Sequence, residues 1–327
     1  MLNPYLSLNE KIFDKPDLEA VRDGFGKALV ELGQQNPNVV VLTADLKEST
    51  KCEEFANKFP GRFFEVGVAE QNMVAIAAGL AVSGKIPFAS SYAVFSPGKN
   101  LETIRTTVAY NKANVKIAGH HAGILTGADG ATHQATEDIA IMRSLPGVTI
   151  FSPCDAIEAQ KATLEAANIK GPVYLRFSRE KTPLITTTET PFDSKVQVFW
   201  ISENPKATIL ACGYMLYYAL LAAKNLGNKG INVLVANVAT IKPLDINTIV
   251  ELSQKTGAFV TVEDHQVAGG LGGAIAEVLL KINPIPMEFV GLQDTFAESG
   301  APKDLIKKYK MDENSIMEAT EKVILRK

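Results

Sequence analysis

Two hydrophobic rhythms alternate along most of this chain, one helical and one strand-like. DLEAVRDGFGKALVELG (residues 17–33) places apolar residues at helical spacing, and NVVVLTA (38–44) follows as a β-branched run ending at Asp45. AEQNMVAIAAGLAVSG (69–84) predicts a helix whose many small residues permit close packing. IPFAS (86–90) predicts a strand, KNLETIRTTVAY (99–110) a helix and VKIAG (115–119) another strand. EDIAIMRSL, VTIFSP, DAIEAQKATLEAAN and PVYLRFS continue the series to residue 178. Continuous apolar strands between amphipathic helices predict a parallel sheet covered on both faces. ITTTETPFDSKVQV (185–198) interrupts the pattern; it is Thr-rich, contains Pro191 and reads as a linker. ATILACG, YMLYYALLAAKNLG, INVLVANVA, INTIVELSQKTG, FVTVED, GGAIAEVLLKI and MEFVGL then form a second alternating series. The predicted fold is α/β: two tandem doubly wound domains. An arm (1–16) precedes the first domain (17–184), and the linker (185–198) leads to the second (199–327).

At 327 residues and 46% hydrophobic content the chain is long enough for two cores. Its net charge of -3, with no basic tract and no aromatics interleaved with Lys and Arg, gives no basis for nucleic-acid binding. Cys52, Cys154 and Cys212 are odd in number and widely spaced, which excludes a disulfide framework or a zinc knuckle and points to a reducing compartment. The N-terminus lacks a basic region followed by an apolar stretch, and no apolar run reaches the ~20 residues that span a bilayer. A cytoplasmic protein with no membrane association is expected.

Chemistry concentrates in three places. HHAGILTGADGATHQ (120–134) holds three of the four histidines together with Asp129. No second Cys or His cluster exists to complete a zinc site. Adjacent residues on an extended segment point to opposite sides, so His120 and His121 diverge, while GADGA lets the chain double back and bring His133 toward His121. Such a turn at a strand's carboxyl end is where open α/β sheets place ligands, and two imidazoles with a carboxylate there suit hydroxyl and phosphate groups. GVAEQNM (67–73) puts Glu70 at the head of an otherwise apolar helix, as a dipole-complementing residue or as a carboxyl set up for proton sharing. SYAVFSP (91–97) places Tyr92 and Phe95 just after a strand, as core residues or as a cofactor box. GGLGGAIAE (269–277) imitates a dinucleotide loop, but its spacing is imperfect and it does not follow its strand directly. A tight turn into a helix explains it.

FFEVGVAEQNMVAIAAGLAVSG, GADGATHQATEDIAIMRSLPGVTIFSPCD and VYLRFSRE occur in the order and at the distances of the transketolase pyrimidine-binding domain. LVANVATIKPLD and FVTVEDHQVAGGLGGAIAE resemble that family's C-terminal domain. From about residue 17 onward the chain therefore resembles the C-terminal half of transketolase.

The resemblance implies roles for individual residues. Glu70 matches the glutamate that contacts the aminopyrimidine ring of thiamine diphosphate and promotes loss of the thiazolium proton; the cofactor does the hard chemistry and the protein tunes a proton. Tyr92 and Phe95 fall among the aromatics around that ring, and Gly98 stands where many members have a further tyrosine. His121, a catalytic position, and Asp129 match residues that contact substrate hydroxyls. His133 matches one that binds the sugar phosphate, with Arg22, Ser49 and Arg179 beside it. Asp45 resembles an aspartate close to the cofactor.

Transketolases bind the diphosphate and Mg²⁺ through an N-terminal domain with a G-D-G motif followed by an asparagine. This chain has no such arrangement, and no metal ligand is assigned within it. The resemblance thus implies one subunit of a split transketolase. A separate N-terminal subunit would carry most of the Mg²⁺ site, and pairing through the pyrimidine domain would give a heterotetramer acting on sugar phosphates. Three alternatives stand beside it. A 1-deoxyxylulose-5-phosphate synthase-like enzyme shares the G-A-D-G-x-T-H-Q pattern but typically has arginine near the His121 position. A 2-oxo acid dehydrogenase β subunit has no use for the phosphate contacts of His133 and Arg179. A non-catalytic assembly subunit would not need Glu70, His121, Asp129 and His133 together.

Overall fold

The β-branched run VVVLT forms a strand, and all five of its residues are buried. The structure is a computed structural model that describes residues 1–327. Its strands in the first half are β1 (Leu18–Ala20), β2 (Val39–Thr43), β3 (Phe63–Glu65), β4 (Ile86–Tyr92), β5 (Lys116–His120), β6 (Thr149–Phe151), β7 (Val173–Arg176) and β8 (Lys181–Pro183). The helices between them are α1 (Val21–Gln35), α2 (Glu53–Lys58), α3 (Glu70–Val82), α4 (Leu101–Thr103), α5 (Asp138–Ser144) and α6 (Ala156–Asn168). The second half contributes β9 (Gln197–Trp200), β10 (Ala207–Ala211), β11 (Val233–Asn237), β12 (Thr240–Lys242), β13 (Phe259–Gln266) and β14 (Met287–Leu292). Its helices are α7 (Met215–Asn228), α8 (Ile246–Thr256), α9 (Leu271–Ile282), α10 (Pro302–Lys308) and α11 (Glu313–Ile324).

Two large sheets result, one for each half and each with helices on both faces, together with a two-stranded antiparallel ribbon of β1 and β8. The first has the order β12-β6-β7-β5-β4-β2-β3 and is parallel except at β12. That edge strand comes from the second half and pairs antiparallel with β6, Thr240 opposite Phe151. The second sheet has the order β14-β13-β10-β11-β9, with β9 the only antiparallel member. One apolar cluster is continuous between the halves, from Val40 and Met73 to Leu210 and Phe259. α1 lies so close to α6 that a Cβ on Gly24 would stand 1.8 Å from the Ala156 carbonyl oxygen, so the contact admits only glycine there.

Two local features depart from the sequence expectation, and a third, the GGLGG turn, meets it with its amino end already filled. The helix expected over 99–110 is a single α-turn (α4) followed by a π-helical turn over Ile104–Ala109. The short strands β1, β3, β8, β9 and β12 carry too few residues for period-based recognition. The GGLGG stretch does lead into a helix, but its amino end is occupied from within. The Glu263 carboxylate accepts hydrogen bonds from the Leu271 and Gly272 amides at 2.6 and 2.9 Å. Burial lifts this carboxyl to about 7, while the two amides and Arg176 pull the other way. A phosphate-attracting helix terminus is thereby filled by the protein's own carboxyl.

Candidate active site

The carboxyl ends of β4, β5 and β7 meet at one rim of the first sheet, and the polar residues singled out above gather there. β5 ends at His120, and the chain turns sharply at His121, whose φ of 54° is left-handed. His120 is fully buried between Phe25 and Phe177, at ring-centroid distances of 5.0 and 5.1 Å. His121, redirected by that turn, goes the other way and stacks on Tyr92.

The loop then returns. Gly123 has a φ of 81°, and a Cβ there would lie 1.7 Å from Asp264 Oδ2, so the position excludes every side chain. Asp264, from the second half, accepts a hydrogen bond from the Ile124 amide at 3.0 Å and another from the Tyr214 hydroxyl at 2.7 Å. The return brings His133 within 5.6 Å of the Phe95 ring and 6.1 Å of Tyr92. The Thr132 hydroxyl lies 2.9 Å from His133 Nδ1. Tyr92, Phe95, His121 and His133 therefore form one aromatic group.

Two arginines flank it. Arg179 donates to the Thr126 carbonyl at 2.9 Å and lies 3.5 Å from Asp129 Oδ1, which ties Asp129 to the loop's outer edge. Arg22 donates to the Ser49 carbonyl at 2.7 Å. Both cations act on His121: burial first, then Arg22, Arg179 and His133, push its pKa down to about 3. It is a neutral imidazole at physiological pH, able to donate from one nitrogen and accept at the other.

Glu70 begins α3 and is 2% exposed. Its Oε2 meets Lys99 Nζ at 2.7 Å, and its backbone carbonyl accepts from Asn100 Nδ2 at 3.1 Å. The turn after β4 thus carries Tyr92 and Phe95 at one end and touches Glu70 at the other. Asp45 sits apart from these contacts, in a left-handed conformation (φ 63°) at the carboxyl end of β2. It is placed by Glu65, which accepts from the Asp45 amide, the Gly67 amide and the Thr43 hydroxyl. Asp45, Ser49 and Glu65 line a common open recess.

Several buried polar atoms here have no partner in the chain: His121 Nδ1, Ser91 Oγ, Ser178 Oγ and Arg22 Nε. Such groups are ordinarily paired, and their convergence on one rim fits a site that receives a polar ligand. A carboxylate and an aromatic pair held at the two ends of one turn suit a polar ring, and the arginines with His133 suit an anion. No three His, Cys, Asp or Glu side chains come close enough together to hold a metal ion, and no helix is long and apolar enough to cross a membrane.

Sequence reasoning missed Lys99, Glu65 and Asp264. Lys99 stands in a motif-free turn, and Glu65 ends β3 inside the FFEVGV run, where nothing marks the contacts it makes to Thr43, Asp45 and Gly67. Asp264 lies in the quoted FVTVED run, but the partner it holds is 140 residues away.

Residues 19–184 match the family described as transketolase, pyrimidine binding domain, and residues 197–316 match transketolase, C-terminal domain. A chain of Methanocaldococcus jannaschii named for the C-terminal section of transketolase is 44% identical over 302 residues, 91% of this chain and 94% of that one. The 6-deoxy-6-sulfo-D-fructose transketolase subunit SqwH of Clostridium sp. (strain MSTE9) is 37% identical, covering 98% and 99% of the two chains. Among solved structures, one titled split gene transketolase, inactive beta4 tetramer, superposes with a TM-score of 0.87 at 46% identity, over 94% of this chain and 98% of that chain.

Proposed function

We propose that this chain, which belongs to the transketolase family and carries its pyrimidine-binding and C-terminal domains, is one subunit of a two-chain transketolase. The proposed reaction moves a two-carbon ketol unit from a ketose phosphate to an aldose phosphate. Thiamine diphosphate, when bound, supplies the nucleophilic carbon. Its diphosphate and Mg²⁺ would be held mainly by a separate N-terminal subunit, since this chain offers no group of metal ligands.

One observation carries the reading: a nearly buried carboxylate and an anion-ready cluster flank the same aromatic pair. Glu70 would share a proton with the aminopyrimidine, and Tyr92 and Phe95 would border the ring; Asp45 would meet the cofactor from its own recess at the end of β2. His121 and Asp129 would hydrogen-bond the sugar hydroxyls. Arg22, Ser49, His133 and Arg179 would hold the phosphate, where guanidinium forks and an imidazole donor are effective.

Assembly follows from α3. Ala75 and Gly79, one helical turn apart, face outward with Val82, and Val68 and Val82 are 71% and 82% exposed. An exposed apolar face of small residues suits close approach of a second helix. The proposed assembly is a pair of these chains joined at α3 and flanked by two partner subunits. The similar chain described in its structure title as an inactive β4 tetramer supports self-association without activity.

Calorimetry tests the proposal. The isolated chain should bind thiamine diphosphate weakly, without Mg²⁺ dependence, and show no ketol transfer. Adding the N-terminal subunit should restore tight, Mg²⁺-dependent binding and activity together. Tight metal-dependent binding by the isolated chain would overturn the two-chain reading.

A further inference from the structure

The Lys99–Glu70 pair is the only ion pair made by the candidate proton-sharing carboxylate, and it rests on a specific local design. Lys99 lies in the turn between β4 and α4. Asn100 pins that turn to the head of α3 by donating to the Glu70 carbonyl and to Ser96 Oγ, at 3.1 and 3.2 Å. Lys99 is thereby presented to Oε2 at 2.7 Å, while its stem remains 44% exposed. Glu70 Oε1 takes no hydrogen bond from the chain. Gly98 fixes the path of the same turn: a Cβ there would stand 2.1 Å from the Val94 carbonyl oxygen, so no side chain can be built at that position without moving the turn.

We propose that Lys99 is a positioning residue for Glu70, holding it as a carboxylate turned so that Oε1 is left to accept a hydrogen bond from a ring nitrogen. The inference rests on the proposed transketolase reading. A carboxylate that is 2% exposed and lacks a counter-charge neutralises itself by taking up a proton. With Lys99 in place the carboxylate has its counter-charge, so the proton needed between Glu70 and the ring nitrogen must arrive with the ligand. Binding is then coupled to proton uptake, and Lys99 sets that coupling.

The test is calorimetric titration of thiamine diphosphate with Mg²⁺ into the complex of this chain with its N-terminal subunit. Titrations in buffers of different ionisation enthalpy give the number of protons taken up. The wild type should take up close to one proton near neutral pH. Lys99→Met and Lys99→Gln should take up clearly less, having acquired the proton beforehand, and Lys99→Arg should restore the wild-type value. Thermal melts of the four free chains report folding, and either neutral variant that folds suffices. Equal uptake in wild type and neutral variants, or failure of Lys99→Arg to restore it, would overturn the role. A wild-type complex that binds no thiamine diphosphate would instead overturn the functional reading, and this inference with it.

Discussion

The imidazole of His121 lies nearly flat on the ring of Tyr92, with centroids 3.8 Å apart and planes 27° from parallel. The contact holds a neutral imidazole at the centre of the candidate site, because burial and the neighbouring cations keep its pKa near 3. In the unfolded chain an imidazole titrates near ~6.5. Between those values the unfolded state binds more protons, so the fold has the full contribution above about pH 6.5 and loses it as pH falls toward 3. His121→Asn should flatten the fall of the thermal midpoint between about pH 6.5 and 4 relative to wild type. Parallel curves for the two proteins would mean that the fold does not hold this imidazole neutral.

Replacing Glu70 by Gln keeps its shape and removes its charge. In the two-chain complex, ketol transfer should drop by on the order of 10²-fold or more, the scale for losing an acid–base group. Hydrogen–deuterium exchange at the thiazolium carbon should slow in parallel. Exchange at the wild-type rate would remove Glu70 from proton sharing.

His133 presents its imidazole beside Phe95 and Tyr92 with Arg179 across the loop, which suits the anionic end of a substrate. His133→Ala should raise KM for sugar phosphates by roughly ten- to a hundred-fold, the equivalent of one charge-assisted hydrogen bond. Hydroxypyruvate and glycolaldehyde should be far less affected. A loss of equal size on both substrate types would sink the phosphate assignment.

Behind the histidine loop, Arg176 and Asp138 form a buried pair at 2.8 Å, and both are at most 5% exposed. Arg176 also donates to the Asp264 and Ala135 carbonyls, and the Tyr174 hydroxyl donates to Asp138. Arg176→Met would leave Asp138 without its counter-charge and should cost ~3–5 kcal/mol, the usual result of breaking a buried pair on one side. Denaturant unfolding of the free chain measures it. A loss under about 1 kcal/mol, the scale of an exposed pair, would show that Asp138 is otherwise satisfied.

The tandem α/β architecture was legible because its long strands are continuous apolar runs and its main helices are strongly periodic. The histidine loop stood out through composition: three of four histidines within fourteen residues, with glycines that permit a return. The grip on that loop was not legible. Asp264 reaches Gly123 and Ile124 from the other half of the chain, and no local pattern encodes a contact across 140 residues. Lys99 escaped for the opposite reason. Its contact is local in space, but a single lysine in a turn looks like any solvated charge until the turn's path is known. The π-helical turn at 104–109 differs from an α-helix only in lengthening the hydrogen-bonded step by one residue, which falls below the resolution of periodicity.

β12 gives the molecule a mechanical character that its two-part layout conceals. The chain leaves the first sheet at β7, builds three strands of the second, and returns to lay Thr240–Lys242 along β6 before resuming. The two halves are stitched, not merely tethered. Cleavage at residues 185–198 would not set the first half free, and expression of that half alone would leave the β6 edge bare and prone to join another chain. Swinging one half against the other would require unzipping this strand, so the Asp264 clasp on the histidine loop travels with the loop as a fixed part of the same frame.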